Sequence, residues 1–463
     1  MIRLLKRILT AALAALTILS FNACGSGEST PDDTTAAVTE ETVTESETTT
    51  ELTDGLPDTD MNGFVFTIHH STAASISWVN LQLDAEGEDG EPLNDAIYRR
   101  NRYISERFNM EFKITEDTWG NNGSRLGSVV MSGDNPYDIY FLYGNQVIAN
   151  IGNIADMNLL PYLALDAEYW NPRATGTFSA GGRQLAVAGN YTLSYLSSAG
   201  CFTFNKDIYS DLGIKGNPYD LVREGEWITE KLFELAAQGV ADLDGDGTIG
   251  SADRVGISSE SHKAFYGALI NGAGIKYVDH DDEGYPAFML NGNEKAINFM
   301  LRILDLVNAN PDTYVNETTG PHSASADYTF IDSDCLFYLT RVNSLAGMRE
   351  MEDDFGILPI PKGDEAQEDY ITRTGVGEIA VLPRSYDEGR IENIGMLLEA
   401  MAFNSQREIV PVYKEVLLAT KFTRDADSAD MLDYVFGGVA FDFGSVAYEG
   451  SVSNVLMTQI FIP

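Results

Sequence analysis

The chain has 463 residues and a formal net charge of −40, with 70 acidic residues against 30 lysines and arginines. That excess of negative charge argues against nucleic acid and against an anionic membrane surface as partners. The length exceeds one ordinary core, so two domains or lobes are expected, and three cysteines with five histidines supply neither a disulfide framework nor a metal cluster.

The chain begins with Arg3, Lys6 and Arg7, followed by an apolar run from Ile8 to Phe21. The run is too short for a comfortable membrane span, and small Ala23 stands directly before Cys24. This order resembles a bacterial lipoprotein signal, with residues 1–23 as signal peptide and Cys24 as the lipidated mature N-terminus. Phe21 departs from the usual leucine of that pattern. An ordinary secretory signal cut elsewhere, or an uncleaved anchor, is the alternative. Residues 25–60 hold 11 acidic residues and no lysine or arginine, amid many threonines and serines. Such a segment cannot bury enough apolar surface to offset its ordering entropy. Residues 24–57 are therefore expected to form a disordered, self-repelling linker, or else an O-glycosylated stalk.

From Asp58 onward, strand and helix signals alternate. Phe64 to Ile68 reads as a first strand, with His69 and His70 in the loop after it. Asn94 can cap a helix to Phe108, with Ile97, Ile104 and Phe108 on one face and Arg99, Arg100, Arg102 and Arg107 largely off it. Strands follow at Met110–Thr115, Tyr137–Leu142 and Phe202–Phe204. Helices are expected at 230–237, with Thr229 as N-cap, then at 294–308, 390–403 and 409–417, where Pro411 is tolerated in the first turn. The Asp279–Gly284 run reads as a solvated hairpin tip. Cys201 and Cys335 lie in apolar runs, as buried free thiols or a pair. The alternation implies an α/β fold with mostly parallel sheets covered by helices.

Residues 242–253 carry the clearest chemical pattern. Asp242, Asp244 and Asp246 fall at positions 1, 3 and 5 of a twelve-residue calcium loop, with Gly247 at the sharp turn, Thr248 offering its carbonyl and Asp253 closing the loop. A hard cation wants several oxygens on a tight curve, and this spacing supplies them. The loop resembles those of EF-hands and, with aspartate last, of dockerin modules. Structural calcium is the cofactor expected. A plain acidic surface turn is the alternative.

Several segments in order resemble the extracellular solute-binding proteins of ABC importers, in the broad family that contains maltose-binding protein, and most of all lipid-anchored members from clostridial bacteria. They are Asn94-Asp95-Ala96-Ile97-Tyr98-Arg99-Arg100-Asn101, Tyr137-Asp138-Ile139, Phe204-Asn205-Lys206-Asp207, Glu224-Gly225-Glu226-Trp227 and Phe355-Gly356-Ile357-Leu358-Pro359-Ile360-Pro361-Lys362. The calcium-like loop is frequent in that subgroup. The resemblance implies a two-lobed periplasmic-binding-protein-like fold of type II, with the ligand cleft between lobes joined by a multi-crossing hinge. Lobe 1 would take 58–196 and 378–425, and lobe 2 would take 197–377 and 426–463. The crossings are expected near Tyr191–Gly200 and Thr374–Val381. Members usually continue past a segment like Phe441-Asp442-Phe443-Gly444 into more helix, so a C-terminally truncated second lobe is expected.

The family implies a small-molecule solute, a sugar in the first instance, delivered to the transmembrane subunits of an ABC-type permease. It implies a monomer that meets the membrane only through its lipid, on the extracellular face of the cytoplasmic membrane of a Gram-positive-type bacterium. A sugar needs aromatic faces for stacking and polar side chains for its hydroxyls. Strand ends and crossings nominate Trp78, Tyr143, Asn145, Tyr195, Tyr338, Arg341 and Glu378. Trp227, before a helix, is read as packing. A surface glycan-binding or sensing lipoprotein uncoupled from transport, a calcium-dependent adhesion module and a secreted glycosidase are the competing readings. No nucleophile elbow, zinc-helix motif or phosphate-binding glycine loop supports an enzyme.

Overall fold

The computed structural model describes residues 53–73, 79–250, 252–316, 328–374, 377–418 and 426–447. The signal peptide, Cys24, the linker as far as 52, Trp78 and the segment from 448 lie outside the described residues. In chain order the main elements begin with β1 (Phe64–Ser71), α1 (Pro92–Phe108), β2 (Met110–Asp117), α2 (Trp119–Ser132), β3 (Ile139–Tyr143), β4 (Gly200–Asn205), α3 (Thr229–Ala237) and β5 (Val255–Ser259). There follow α4 (His262–Gly272), α5 (Glu294–Ala309), β6 (Tyr314–Asn316), β7 (Cys335–Arg341), β8 (Phe355–Leu358), β9 (Glu378–Val381), α6 (Ile391–Glu408), α7 (Val410–Leu418) and α8 (Ala426–Gly437).

Two sheets form the two lobes. The first runs β9-β3-β1-β2 and the second β6-β5-β7-β4-β8. In the first, β1 pairs parallel with both β2 and β3, and β9 returns antiparallel on β3. In the second, β5 is flanked by parallel β6 and β7, while β4 pairs antiparallel with β7 and β8. Crossover helices cover both faces of such sheets, so central strands read as continuous apolar runs. Strand β3, Ile-Tyr-Phe-Leu-Tyr, is buried throughout. Ile139 and Phe141 face a core with Ile104 and Phe108 of α1 and Ile394, Leu398 and Met401 of α6. Tyr140 and Leu142 face the other core, which continues into the second lobe through Cys201, Val255 and Ile357 and through Tyr413 of α7 and Leu432 of α8. Trp227 is buried, donates from Nε1 to the Pro359 carbonyl at 2.8 Å and lies against Phe337.

Several local expectations change. Strand β1 does not stop at Ile68 but carries His69 and His70 to Ser71, because β2 stays in register beside it as far as Ser71 opposite Asp117. Helix α1 starts two residues earlier than Asn94. Pro92 suits a first turn, and Glu91 is the cap, its carboxylate accepting from the Asn94 amide. Arg100 is buried, because it follows Ile97 by three positions on the inward stripe. Thr229 is the first residue of α3 rather than its cap, and its hydroxyl bonds the Lys362 carbonyl. Cys201 and Cys335 are both free and buried. Residues 54 and 56, assigned by composition to the linker, lie against α1, with Arg107 bonding the Asp54 carboxylate and the Leu56 carbonyl.

Candidate functional site

The antiparallel strands locate the site. β9 enters the first sheet with Glu378 opposite Tyr143, the last residue of β3. β4 enters the second sheet with Gly200 opposite Arg341, the last residue of β7. Each is the strand that follows a crossing, so the crossings meet both sheets at the C-terminal ends of their parallel strands. Open α/β sheets bind ligands at those ends.

The crossings are stitched to one another there. The Glu378 amide donates to Ser194 Oγ at 2.8 Å, and Ser198 shares a short hydrogen bond with Thr374. Gly377 is pressed on Tyr195, where a Cβ would fall 2.6 Å from the Tyr195 Cβ, so no larger residue fits. The second crossing is complete before Glu378, which already lies within the sheet.

The lobe 1 edge is polar and buried. Glu378 Oε1 accepts from the Ser71 amide at 2.7 Å, and its Oε2 lies 3.5 Å from His70 Nδ1. That distance is too long for a well-formed hydrogen bond. On the other side of the same ring, Glu116 lies 3.5 Å from His70 Nε2. Asn122 of α2 donates to Ser71 Oγ at 3.2 Å and to the Phe141 carbonyl at 2.8 Å. Trp119, at the start of α2 and partly exposed, meets the Tyr143 ring edge to face at 6.2 Å. Burial, and then the nearby Glu378 charge, push the Tyr143 phenol above its ordinary value and keep it protonated. His69 faces away, with Nδ1 2.9 Å from Thr115 Oγ1, and burial pushes its imidazole down to about 4.

Among the nominated residues, Tyr143 and Glu378 come together at this edge. Asn145 is exposed, two positions beyond Tyr143 on the short helix Gly144–Ala149. Tyr195 is buried in the first crossing, and its hydroxyl donates to Asn190 Oδ1. Tyr338 is buried mid-strand in the second sheet and stacks on Phe330 at 5.9 Å, a packing position. Arg341 stands at the lobe 2 edge with its guanidinium on the Glu260 carboxylate, from Nη1 at 3.2 Å. Sequence reasoning missed His70, Asn122, Ser194 and Trp119. Polar residues at the C-terminal end of a strand, or opening the next helix, were the available signal. A shallow recess bordered by Thr177, Lys276, His280 and Phe443 includes none of these edge residues.

The second candidate is the acidic loop. Asp242, Asp244 and Asp246 each place a carboxylate oxygen within 4.8 Å of the others, and all three are exposed. Positive φ at Gly245 and Gly247 turns the backbone between them. Asp253 is not in that set. It is buried, with Oδ1 accepting from the Leu243 amide at 2.6 Å and Oδ2 from the Gly250 amide at 2.7 Å. The Thr248 hydroxyl donates to Asp246 Oδ1 at 2.7 Å.

No protein-family description and no curated protein matches the chain. Solved structures do match. M. tuberculosis UspC aligns with a TM-score of 0.56 at 14% identity, covering 86% of this chain and 98% of that one. The cyclic alpha-maltosyl-1,6-maltose binding protein from Arthrobacter globiformis aligns at 0.51 and 14%, with coverages of 86% and 98%. A cyclo/maltodextrin-binding protein complexed with maltotetraose aligns at 0.50 and 12%, with 88% and 96%. The chain has the two-lobed type II solute-binding fold. In this chain the polar edge containing His70, Tyr143 and Glu378 stands at the strand ends where the second crossing enters the first sheet.

Proposed function

We infer that this protein is a lipid-anchored, extracellular solute-binding protein that captures a carbohydrate, an oligosaccharide in the first instance, and delivers it to an ABC-type permease. The observation that carries the reading is the convergence of both sheets' C-terminal edges on one pair of crossings, in a fold shared with proteins that bind maltose-type oligosaccharides. The polar edge with an exposed indole at its rim suits a ligand with flat faces ringed by hydroxyls. Hinge closure would trap the ligand between the lobes. Binding without turnover is the reading, consistent with neighbours that are binding proteins.

The signal pattern around Cys24 supports a lipid tether, and the acidic spacer would let the body sample solution near its permease. Two acyl chains anchor more firmly than one, and tethering raises the effective concentration of loaded binder at its partner. The three convergent carboxylates at 242–246 support a structural calcium ion, held by Asp242, Asp244 and Asp246. The expected partners remain the permease subunits and the solute, with the protein acting as a monomer.

A thermal-unfolding screen of the full chain in detergent, against mono- and oligosaccharides, tests the reading. A ligand raises the midpoint by mass action. At least one saccharide should do so, and a folded protein indifferent to all of them overturns the carbohydrate assignment. Cys24→Ala should bind the same sugar yet no longer support uptake by cells.

A further inference from the structure

His70, Tyr143 and Glu378 are each at most 2% exposed. Each nevertheless carries a polar atom without a hydrogen-bond partner: His70 Nδ1, the Tyr143 hydroxyl and Glu378 Oε2. A buried polar atom left unpaired is costly, and native structures pair the great majority of them. Three side chains in one row therefore call for an explanation. They come from strands far apart in sequence. Glu378 and Tyr143 are register partners across β9 and β3, so their side chains share a face, and His70 Nδ1 approaches the free Glu378 oxygen at 3.5 Å. The row stands at the strand ends where the crossings enter, which is where a ligand between the lobes would touch lobe 1.

The charge around the row has one sign. The Glu378 carboxylate receives a single backbone N–H, from Ser71, and Glu116 flanks His70 on the opposite side. The nearby Arg125 is held by Asp117 at 3.1 Å, and Arg341 on the lobe 2 edge is held by Glu260. The Tyr143 phenol keeps its proton. The row thus offers a carboxylate acceptor, a phenol and an imidazole nitrogen, and among the described residues no free cation faces it to receive an anion.

We propose that His70, Tyr143 and Glu378 form the lobe 1 subsite that reads hydrogen-bond donors on the ligand, accepting neutral or amine-bearing saccharides and rejecting anionic ones such as uronates. This deepens the carbohydrate reading above and rests on it. A sugar hydroxyl or ammonium group would donate to Glu378 Oε2 and complete the row, while a carboxylate or phosphate would meet two like charges at short range. The unpaired atoms are then a store of instability that the ligand relieves, a pattern expected at binding sites rather than in cores.

The test uses the full chain in detergent and calorimetry with four probes: maltotetraose, cellotetraose, a glucosamine tetramer and tetragalacturonate. Binding should be confined to the first three, and Glu378→Gln and Tyr143→Phe should each weaken it at least tenfold. Tetragalacturonate as the best ligand, or variants that bind like the unaltered protein, overturns the proposal. Silence from all four probes overturns the saccharide reading on which it rests. The row itself is judged without any ligand by the unfolding midpoint. Tyr143→Phe removes an unpaired group, and Glu378→Gln keeps an acceptor for the Ser71 amide while turning the oxygen that faces His70 Nδ1 into a donor, so the midpoint should hold or rise. A fall of more than about 5 °C in both variants would make the row structural and sink the proposal.

Discussion

Tyr285 lies over Gly181 so closely that a Cβ on the glycine would fall 2.6 Å from its ring. The two residues belong to hairpins on different lobes. The Gly181 amide donates to the Gly284 carbonyl at 2.9 Å, and His280 Nε2 sits 2.9 Å from the Ser179 carbonyl. Gly181 also holds φ +56°, which a side chain disfavours. The contact acts as a clasp between the lobes. Gly181→Ala should destabilise the protein by roughly 1–3 kcal/mol through strain and collision. Tyr285→Ala should cost about 1 kcal/mol and release the clasp. Urea unfolding checks the first. A larger radius of gyration in small-angle scattering checks the second.

Arg100 is the buried tie between α1, the first crossing and α6. Its guanidinium donates to the Leu83 carbonyl at 2.9 Å, the Tyr191 carbonyl at 3.0 Å and Ser405 Oγ at 2.9 Å, and also bonds Asn101 Oδ1. Burial pushes its pKa down to about 10, so it remains charged at neutral pH. A fork of donors reaches three elements at once, which an ammonium cannot imitate. Arg100→Met leaves two buried acceptors, the Tyr191 carbonyl and Asn101 Oδ1, without their donor, while the Leu83 carbonyl keeps the Asn101 side-chain amide, and should cost about 3 kcal/mol or more. Arg100→Lys should recover only part of that loss in the same urea titration.

Glu399 makes stability depend on pH. Its carboxylate is buried on α6 and accepts from the Trp170 indole at 2.7 Å, the Ala164 amide at 3.0 Å and the Tyr169 hydroxyl. Burial raises its pKa, and hydrogen bonds from Tyr169, Ala164 and Trp170 offset part of the rise. The folded form therefore holds the proton more tightly than the unfolded chain. That contribution is fully present below the unfolded value of about 4.3 and is lost as pH rises through the folded value. Glu399→Gln cannot ionise. The stability of the unaltered protein relative to this variant should be greatest near pH 4 and shrink toward pH 7. Paired thermal melts across that range check the trend, and a margin that grows with pH would contradict it.

These features were unequally legible in the sequence. Apolar runs such as Ile139 to Leu142 announced the strands, because central strands buried on both faces need no alternation. The polar end of β1 did not announce itself. His69 and His70 look like a loop until the register with β2 keeps them in the sheet. The His70–Glu378 approach joins residues from β1 and β9, and no local pattern encodes it. Glu378 and Tyr143 were reachable because strand ends and crossings could be placed. Tyr338 and Tyr195 were nominated on the same logic, yet their rings are spent on packing and on the crossing itself. Arg100 shows a simpler error: helical spacing put it beside Ile97 and Ile104, but its charge suggested an outward place.

Asp253 limits what spacing says about the calcium loop. The last loop position supplied the right residue type, but its two oxygens accept backbone N–H groups from Leu243 and Gly250. The exposed carboxylates of Asp242, Asp244 and Asp246 are left as the convergent set, and three like charges so close repel one another. A divalent cation would remove that repulsion and stabilise the folded state over the unfolded one. Millimolar calcium should therefore raise the unfolding midpoint, and a chelator should restore the original value. Asp244→Asn should lose most of the calcium response while leaving saccharide affinity unchanged, because the loop lies before β5 and away from the polar strand ends. If Asp253→Asn destabilises the protein equally with and without calcium, the residue acts as a backbone staple, the role its hydrogen bonds assign to it. A calcium response lost in Asp253→Asn alone would return it to the ligand set.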